Sequence, residues 1–168
     1  MKNKNLFLSF LLILGIFITS PTSGQKENNR NGQKKIEHSI GVAFGFTTGY
    51  GLAYRLKINT IGFRTNFAPY IDQYKNIYNI GLTLTKDLIT NEKTKFLIYF
   101  SNSYNYENFH SVAVPSRELN KYLNTGIGIG IEFILLEKIE FDIMAGYGVY
   151  RRTDEVNMTA EAGFFYKF

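Results

Sequence analysis

The residues of this 168-residue sequence with the clearest chemical potential are charged side chains at even spacings. Arg55 and Lys57 stand two apart, as do Glu140 and Asp142. Arg64, Glu132, Glu161 and Lys167 complete a set of four basic and four acidic groups. On a β-strand, residues two apart share a face. The set therefore has two possible uses: an ion-lined pore, or a plug of salt bridges. A plug would pair charges that are costly to bury alone.

Other chemistry has weaker support. His110 and Ser111 are an adjacent base and nucleophile in the longest link. On a strand they would point to opposite faces. A triad needs the two within hydrogen-bond reach and a third group to orient the base. The nearest acids are Glu107 and Glu118. No catalytic residue is predicted. His38 begins the first predicted strand and reads as a solvated boundary residue. With no cysteine and only two distant histidines, the chain predicts no metal site and no cofactor. Gly126-Ile127-Gly128-Ile129-Gly130 lacks the strand-turn-helix setting of a phosphate loop and reads as one strand with glycine on one face.

These residues need elements to position them, and the hydrophobic period is two from His38 onward. Strict alternation over such lengths predicts strands. Eight are expected, at Ser39–Phe46, Tyr50–Ile58, Ile61–Ala68, Tyr78–Thr85, Lys95–Tyr104, Thr125–Ile134, Ile139–Tyr150 and Met158–Phe168. The fifth is the least defined, because Phe96-Leu97-Ile98-Tyr99-Phe100 is apolar on both faces. Short links after the second, fourth and sixth strands alternate with longer ones after the third, fifth and seventh. The short link Thr47–Gly49 breaks this rule. Within the long link Asn105–Asn124, Pro115 to Leu119 reads as a helix start, with Leu119, Tyr122 and Leu123 at helical spacing. Tyr104, Tyr106, Phe109 and Tyr122 there offer contacts to a partner or sugar, or packing onto the rim.

The chain begins with Lys2 and Lys4, then thirteen mostly apolar residues, Leu6–Ile18, then the small and polar Thr19–Gln25. This order predicts a secretory signal peptide over residues 1–24. Thirteen residues make a helix of about 20 Å, too short for a bilayer core of about 30 Å. Residues 25–37 read as a flexible, solvated periplasmic tail, and 38–168 as a barrel domain. Removing the two signal lysines lowers the formal charge of +5 by two, which argues against a nucleic-acid partner. Without cysteine, stability must come from burial or from a membrane.

Period two does not say which face is inside. A soluble barrel or sandwich turns its apolar face inward; a membrane barrel inverts this. The second face here is small and glycine-rich: Gly41, Ala43, Gly45, Gly51, Ala53, Gly62, Gly81, Gly126, Gly128, Gly130, Gly146, Gly148 and Gly163, with the eight charges among them. Glycine weakens a solvated strand, whereas the lumen of an eight-stranded barrel is just wide enough for side chains to fill. The expected fold is all-β: an eight-stranded antiparallel up-and-down transmembrane β-barrel with its charges inside. Outward Phe46, Tyr50, Phe67, Tyr78, Tyr147, Tyr166 and Phe168 would form aromatic girdles.

The chain ends Glu161-Ala162-Gly163-Phe164-Phe165-Tyr166-Lys167-Phe168. Glu161, Gly163, Tyr166 and Phe168 match the C-terminal signature of bacterial outer-membrane barrels. In overall pattern the region after the tail resembles the small eight-stranded outer-membrane proteins, the OmpA-transmembrane and OmpX-like barrels. The resemblance implies residence among outer-membrane lipids, a monomer, and recognition of the last strand by the barrel assembly machinery. It carries no activity, because function sits in sites grafted on a fold. The expectation is a structural or surface-interaction protein with a filled lumen and an unidentified loop partner. Three rivals stand beside it: a lipid A-modifying enzyme using His110 and Ser111, a narrow channel, and a soluble lipocalin-like binder.

Overall fold

A computed structural model describes residues 35–72, 75–109 and 118–168. All eight elements are strands: β1 Ile36–Gly45, β2 Gly51–Ile58, β3 Ile61–Ile71, β4 Lys75–Thr90, β5 Thr94–Phe109, β6 Glu118–Leu136, β7 Ile139–Tyr150 and β8 Glu155–Lys167. Each pairs antiparallel with its sequence neighbour, and β1 pairs with β8 to close the barrel. Closure leaves no sheet edge at the level where all eight strands overlap. That is the condition for a sheet in hydrocarbon, where no water can satisfy a free backbone group.

The alternation sorts the faces as a membrane barrel requires. Ile129 is 53% exposed while Arg64 is 2% exposed, the reverse of a soluble domain. Outward positions of the runs 40–44, 52–58, 61–67, 78–84, 96–102, 125–133, 139–149 and 158–168 carry no charge. Their polar members besides tyrosine are Thr65, Asn102 and Thr125. The last two lie opposite each other, and Thr125 Oγ1 donates to Asn102 Oδ1 at 2.8 Å. An outward polar pair is thus satisfied without water. A lipocalin-like binder needs an apolar interior, and this interior is charged, so that reading is excluded.

Several boundaries differ from those expected. β1 starts at Ile36, because Lys35 exchanges hydrogen bonds with Asn59 at the β2–β3 turn: Lys35 N donates to Asn59 Oδ1, and Asn59 N donates to Lys35 O. Ile36 and Glu37 therefore belong to the wall and not to a tail. β5 and β6 run well past Tyr104 and Thr125, and pair continuously from Phe109↔Glu118 downward. Leu119, Tyr122 and Leu123 consequently lie on a strand, not a helix. Their spacing fits both, and the cross-strand ladder to Tyr104–Asn108 decides. Pro115 lies outside the described residues, as do the signal-peptide segment, residues 25–34 and the His110–Ser111 pair. In β5, Leu97 and Tyr99 point inward and pack with Met144, which resolves the strand that was apolar on both faces.

The wall is uneven. β1 stops at Gly45, opposite Glu161, while β8 continues to Glu155 against β7 alone. β4, β5 and β6 are 16, 16 and 19 residues long. One side of the rim thus rises well above the β1–β2 side. The β1–β2 link lies at the same end of the barrel as these extensions, opposite the described chain ends.

Candidate functional site

The lumen holds the functional candidates in layers. At the end near the described termini, Glu132 is fully buried and takes three cations. Arg55 Nη1 lies at 2.6 Å, Lys57 Nζ at 3.0 Å and Lys95 Nζ at 3.0 Å. Around this hub, Lys57 also reaches Asp87 at 3.2 Å, and Arg55 reaches Glu140 and, at 3.5 Å, Asp142. Arg64 pairs with Asp142 at 3.2 Å. Alternation on β2, β3, β6 and β7 aims these side chains inward, and closure brings them together.

Lys167 is placed at the margin. Its ammonium is at 3.3 Å from Glu37 and 3.9 Å from Glu140, with the side chain a quarter exposed. Asp87 and Lys95 are members that sequence reasoning missed. Asp87 reads as part of a turn, and Lys95 begins the strand whose phase its apolar run conceals. The available signal was the stripe Lys95, Ser101, Ser103, Asn105 and Glu107, which keeps one parity through the apolar stretch.

Above the ions lies an apolar layer. Phe165 is fully buried with Ala43 and Ala53, and the Arg55 guanidinium stands 4.2 Å from the ring centroid. Leu97, Tyr99 and Met144 fill the same layer from the other wall. Cation–ring contact of this kind is favourable where water is scarce.

The third layer is a loop. The β1–β2 link, short and out of pattern in the sequence, turns into the barrel, and Thr47 and Thr48 are fully buried. Glu161 anchors it. Thr47 Oγ1 donates to Oε1 at 2.6 Å and Thr47 N at 3.3 Å, while Thr48 donates to Oε2 through its N at 3.2 Å and through its hydroxyl. Thr159 Oγ1 adds a bond to Oε1 at 2.7 Å. From the walls, Asn66 Nδ2 donates to Thr48 O at 2.8 Å and Asn124 Nδ2 to Phe46 O at 3.2 Å. Gly49 and Gly51, at φ of 80° and 118°, let the chain turn in and return.

Glu161 was expected to join the charge network. It lies in the lumen, but among the described residues it makes no ion pair: hydroxyls and amides compensate its charge. The reason is position. Glu161 sits opposite the last residue of β1, at the loop, and above the cations.

The glycine face is a mould for these fillers. A Cβ on Gly126 would stand 2.7 Å from Thr47 Cβ, and one on Gly148 would stand 2.6 Å from Thr47 Cγ2. A Cβ on Gly81 would strike the Thr48 carbonyl, one on Gly130 would stand 2.5 Å from Met144 Cγ, and one on Gly163 would stand 2.5 Å from Phe165 Cε2. Real Cβ atoms do not approach so closely, and cores are packed without slack.

No family model matches the sequence, and no curated protein matches it. Solved structures do. Ail, the attachment invasion locus protein of Yersinia pestis, is 16% identical over 81% of this chain and 99% of its own, with a TM-score of 0.54. The chain has the fold of the small eight-stranded outer-membrane barrels. The N-terminal β-barrel domain of Pseudomonas aeruginosa OprF matches comparably, at 14% identity, 81% and 100% coverage and a TM-score of 0.52. Likeness at this identity reports the fold. The lumen layers above come from this chain's own residues.

At the loop end, the tall strands surround a vestibule whose floor is the buried loop. Tyr122 Oη donates to Glu107 Oε1 at 2.6 Å, and Arg152 lies 3.7 Å from the same carboxylate. Burial, and then this bond to Glu107, push the Tyr122 phenol up to about 12. The phenol therefore stays neutral and donates throughout the physiological range.

Proposed function

We propose that this protein is a bacterial outer-membrane barrel with a closed lumen, which holds a raised rim at the cell surface in a structural or surface-interaction role. The observation that carries this is the inward β1–β2 loop, with Thr47 and Thr48 buried on Glu161 above a neutralised ion cluster. Together they occupy the lumen that a channel would need. Aqueous channels in such barrels ordinarily need about 16–18 strands. The outward apolar face fits outer-membrane lipid, and the signal-like start fits export. In this orientation the loop end is extracellular, and the described chain termini lie on the periplasmic side.

The same reading makes Glu161, Gly163, Tyr166 and Phe168 the signal read by the barrel assembly machinery, and the barrel a monomer. It assigns no enzymatic step. The lipid A-modifying alternative rests on His110 and Ser111. It requires that alanine at either abolish turnover of envelope lipids, and full activity in both variants would remove it. The closed lumen is tested by recording the purified barrel in a planar lipid bilayer. A flat current trace is expected from a sample that shows a heat-dependent gel shift in detergent. Discrete conductance steps from the same sample would overturn the proposal.

A further inference from the structure

The vestibule above the loop comprises two adjoining clefts of about 430 and 450 Å3, which share Phe46, Tyr122 and Asn124. Each is within the range of small-molecule sites, about 300–1,000 Å3. Tyr150 lines one, and Asn79 and Asn105 line the other.

Three features define the chemistry this space would take. Four of its polar side chains, Asn79, Asn105, Asn124 and Asn157, are amides, and an amide both donates and accepts, as a sugar hydroxyl does. Its flat surfaces are aromatic, and the negative ring face favours the weakly positive C–H bonds of a pyranose. Charges of both signs meet there, because Arg152 and Glu155 line one cleft and Glu107 engages both Arg152 and the Tyr122 hydroxyl, so the field selects no ion.

A fourth feature points to a ligand directly. Asn124 is buried, its Nδ2 is committed to Phe46 O, and its Oδ1 has no partner. Buried acceptors are ordinarily satisfied. The Oδ1 atom's own accessible surface is under 1 Å2, but it belongs to a residue that lines both clefts, and a turn of that side chain would bring it to a hydroxyl donor. Asn79 differs: its Oδ1 accepts from Tyr50 N and its Nδ2 donates to Asn105 Oδ1. It fixes the wall and leaves Asn124 as the reader.

We infer that the vestibule binds a neutral oligosaccharide, one sugar ring in each cleft, with a ring hydroxyl donating to Asn124 Oδ1 and a ring face packed on Tyr122. The inference rests on the surface role proposed above and names the partner class for it.

The test uses the mature barrel in a zwitterionic, sugar-free detergent, titrated with maltose, cellobiose, lactose and N,N′-diacetylchitobiose by ligand-observed NMR. At least one should bind saturably, and Tyr122→Ala and Asn124→Ala should each weaken it by about tenfold or more. Where Asn124→Ala fails the heat-shift check for folding, Tyr150→Ala serves as the second variant. No saturable response to any of the four up to about 10 mM would overturn the inference. So would binding that the variants leave unchanged, or binding of a sulfated disaccharide alone that fades with salt. Heat shift and conductance on the same sample test the closed barrel separately, so a sugar failure is not confused with a failure of that reading.

Discussion

Replacing Glu132 with Gln should destabilise the barrel by about 3 kcal/mol, at the lower end of the cost of breaking a buried ion pair from one side. The substitution keeps the volume and removes one charge from a site that is fully buried. Its three cations are not equally stranded. Arg55 keeps Glu140 and Asp142, and Lys57 keeps Asp87 at 3.2 Å. Among the described residues, Lys95 keeps one ion pair, to Glu140 at 3.9 Å. The cost therefore falls mainly on one ammonium, which sets the lower end of the range. With a denaturant slope of about 1–3 kcal/mol per molar, the urea midpoint of the barrel refolded in lipid vesicles should fall by about 1 M or more. Lys95→Met in the Glu132→Gln background should recover most of the loss, because the stranded charge leaves with its partner. A loss below about 1 kcal/mol, the value of a solvated pair, would mean that water screens the cluster. The argument for a dry, filled lumen would then fail.

Other substitutions separate the layers. Gly126→Val places a side chain where Thr47 sits, so it should expel the loop, destabilise the barrel by about 1–3 kcal/mol as overpacking does, and admit ions in the bilayer recording; unchanged stability with a flat trace would contradict the mould. Thr47→Val with Thr48→Val removes the hydroxyl bonds to Glu161 and leaves the C-terminal signature intact. It should speed hydrogen exchange at the Thr47 and Thr48 amides without lowering membrane insertion, and unchanged exchange would show that the loop is held by other contacts. The difference in alkaline absorbance between the parent and Tyr122→Phe should show a phenol titrating near 12, and Glu107→Gln should bring it down; titration near the ordinary value of about 10 would disprove the buried bond.

Much of the barrel was legible in the sequence because the pleat has period two. Ile127, Ile129 and Ile131 against Gly126, Gly128 and Gly130 can be only a strand with one bulky face. The inward direction of Arg55, Lys57, Arg64, Glu132, Glu140 and Asp142 followed from the company they keep with glycine. Residues became illegible where the period lost contrast or where contact depended on closure. Phe96 to Phe100 hid the phase that carries Lys95. Leu119, Tyr122 and Leu123 fit a helix as well as a strand until paired across to β5. The inward loop left only a faint trace: two small hydroxyl residues, Thr47 and Thr48, between Gly45 and Gly51. Its anchor, Glu161, is more than a hundred residues away, and local spacing does not encode so distant a contact.

That separation has a kinetic consequence. Thr47 and Glu161 lie on opposite sides of the β1–β8 seam, the pairing with the greatest sequence separation in the molecule and hence the costliest to close. Until β8 zips onto β1, the loop lacks its Glu161 anchor and can hold only to other walls, as through Asn66, and Glu161 lacks four of the five donors that satisfy it. Seating the loop is therefore a latch set by the last step of assembly. An unfinished barrel would carry an open lumen and a loose first hairpin, so protease sensitivity at the β1–β2 link would mark chains that have not yet closed.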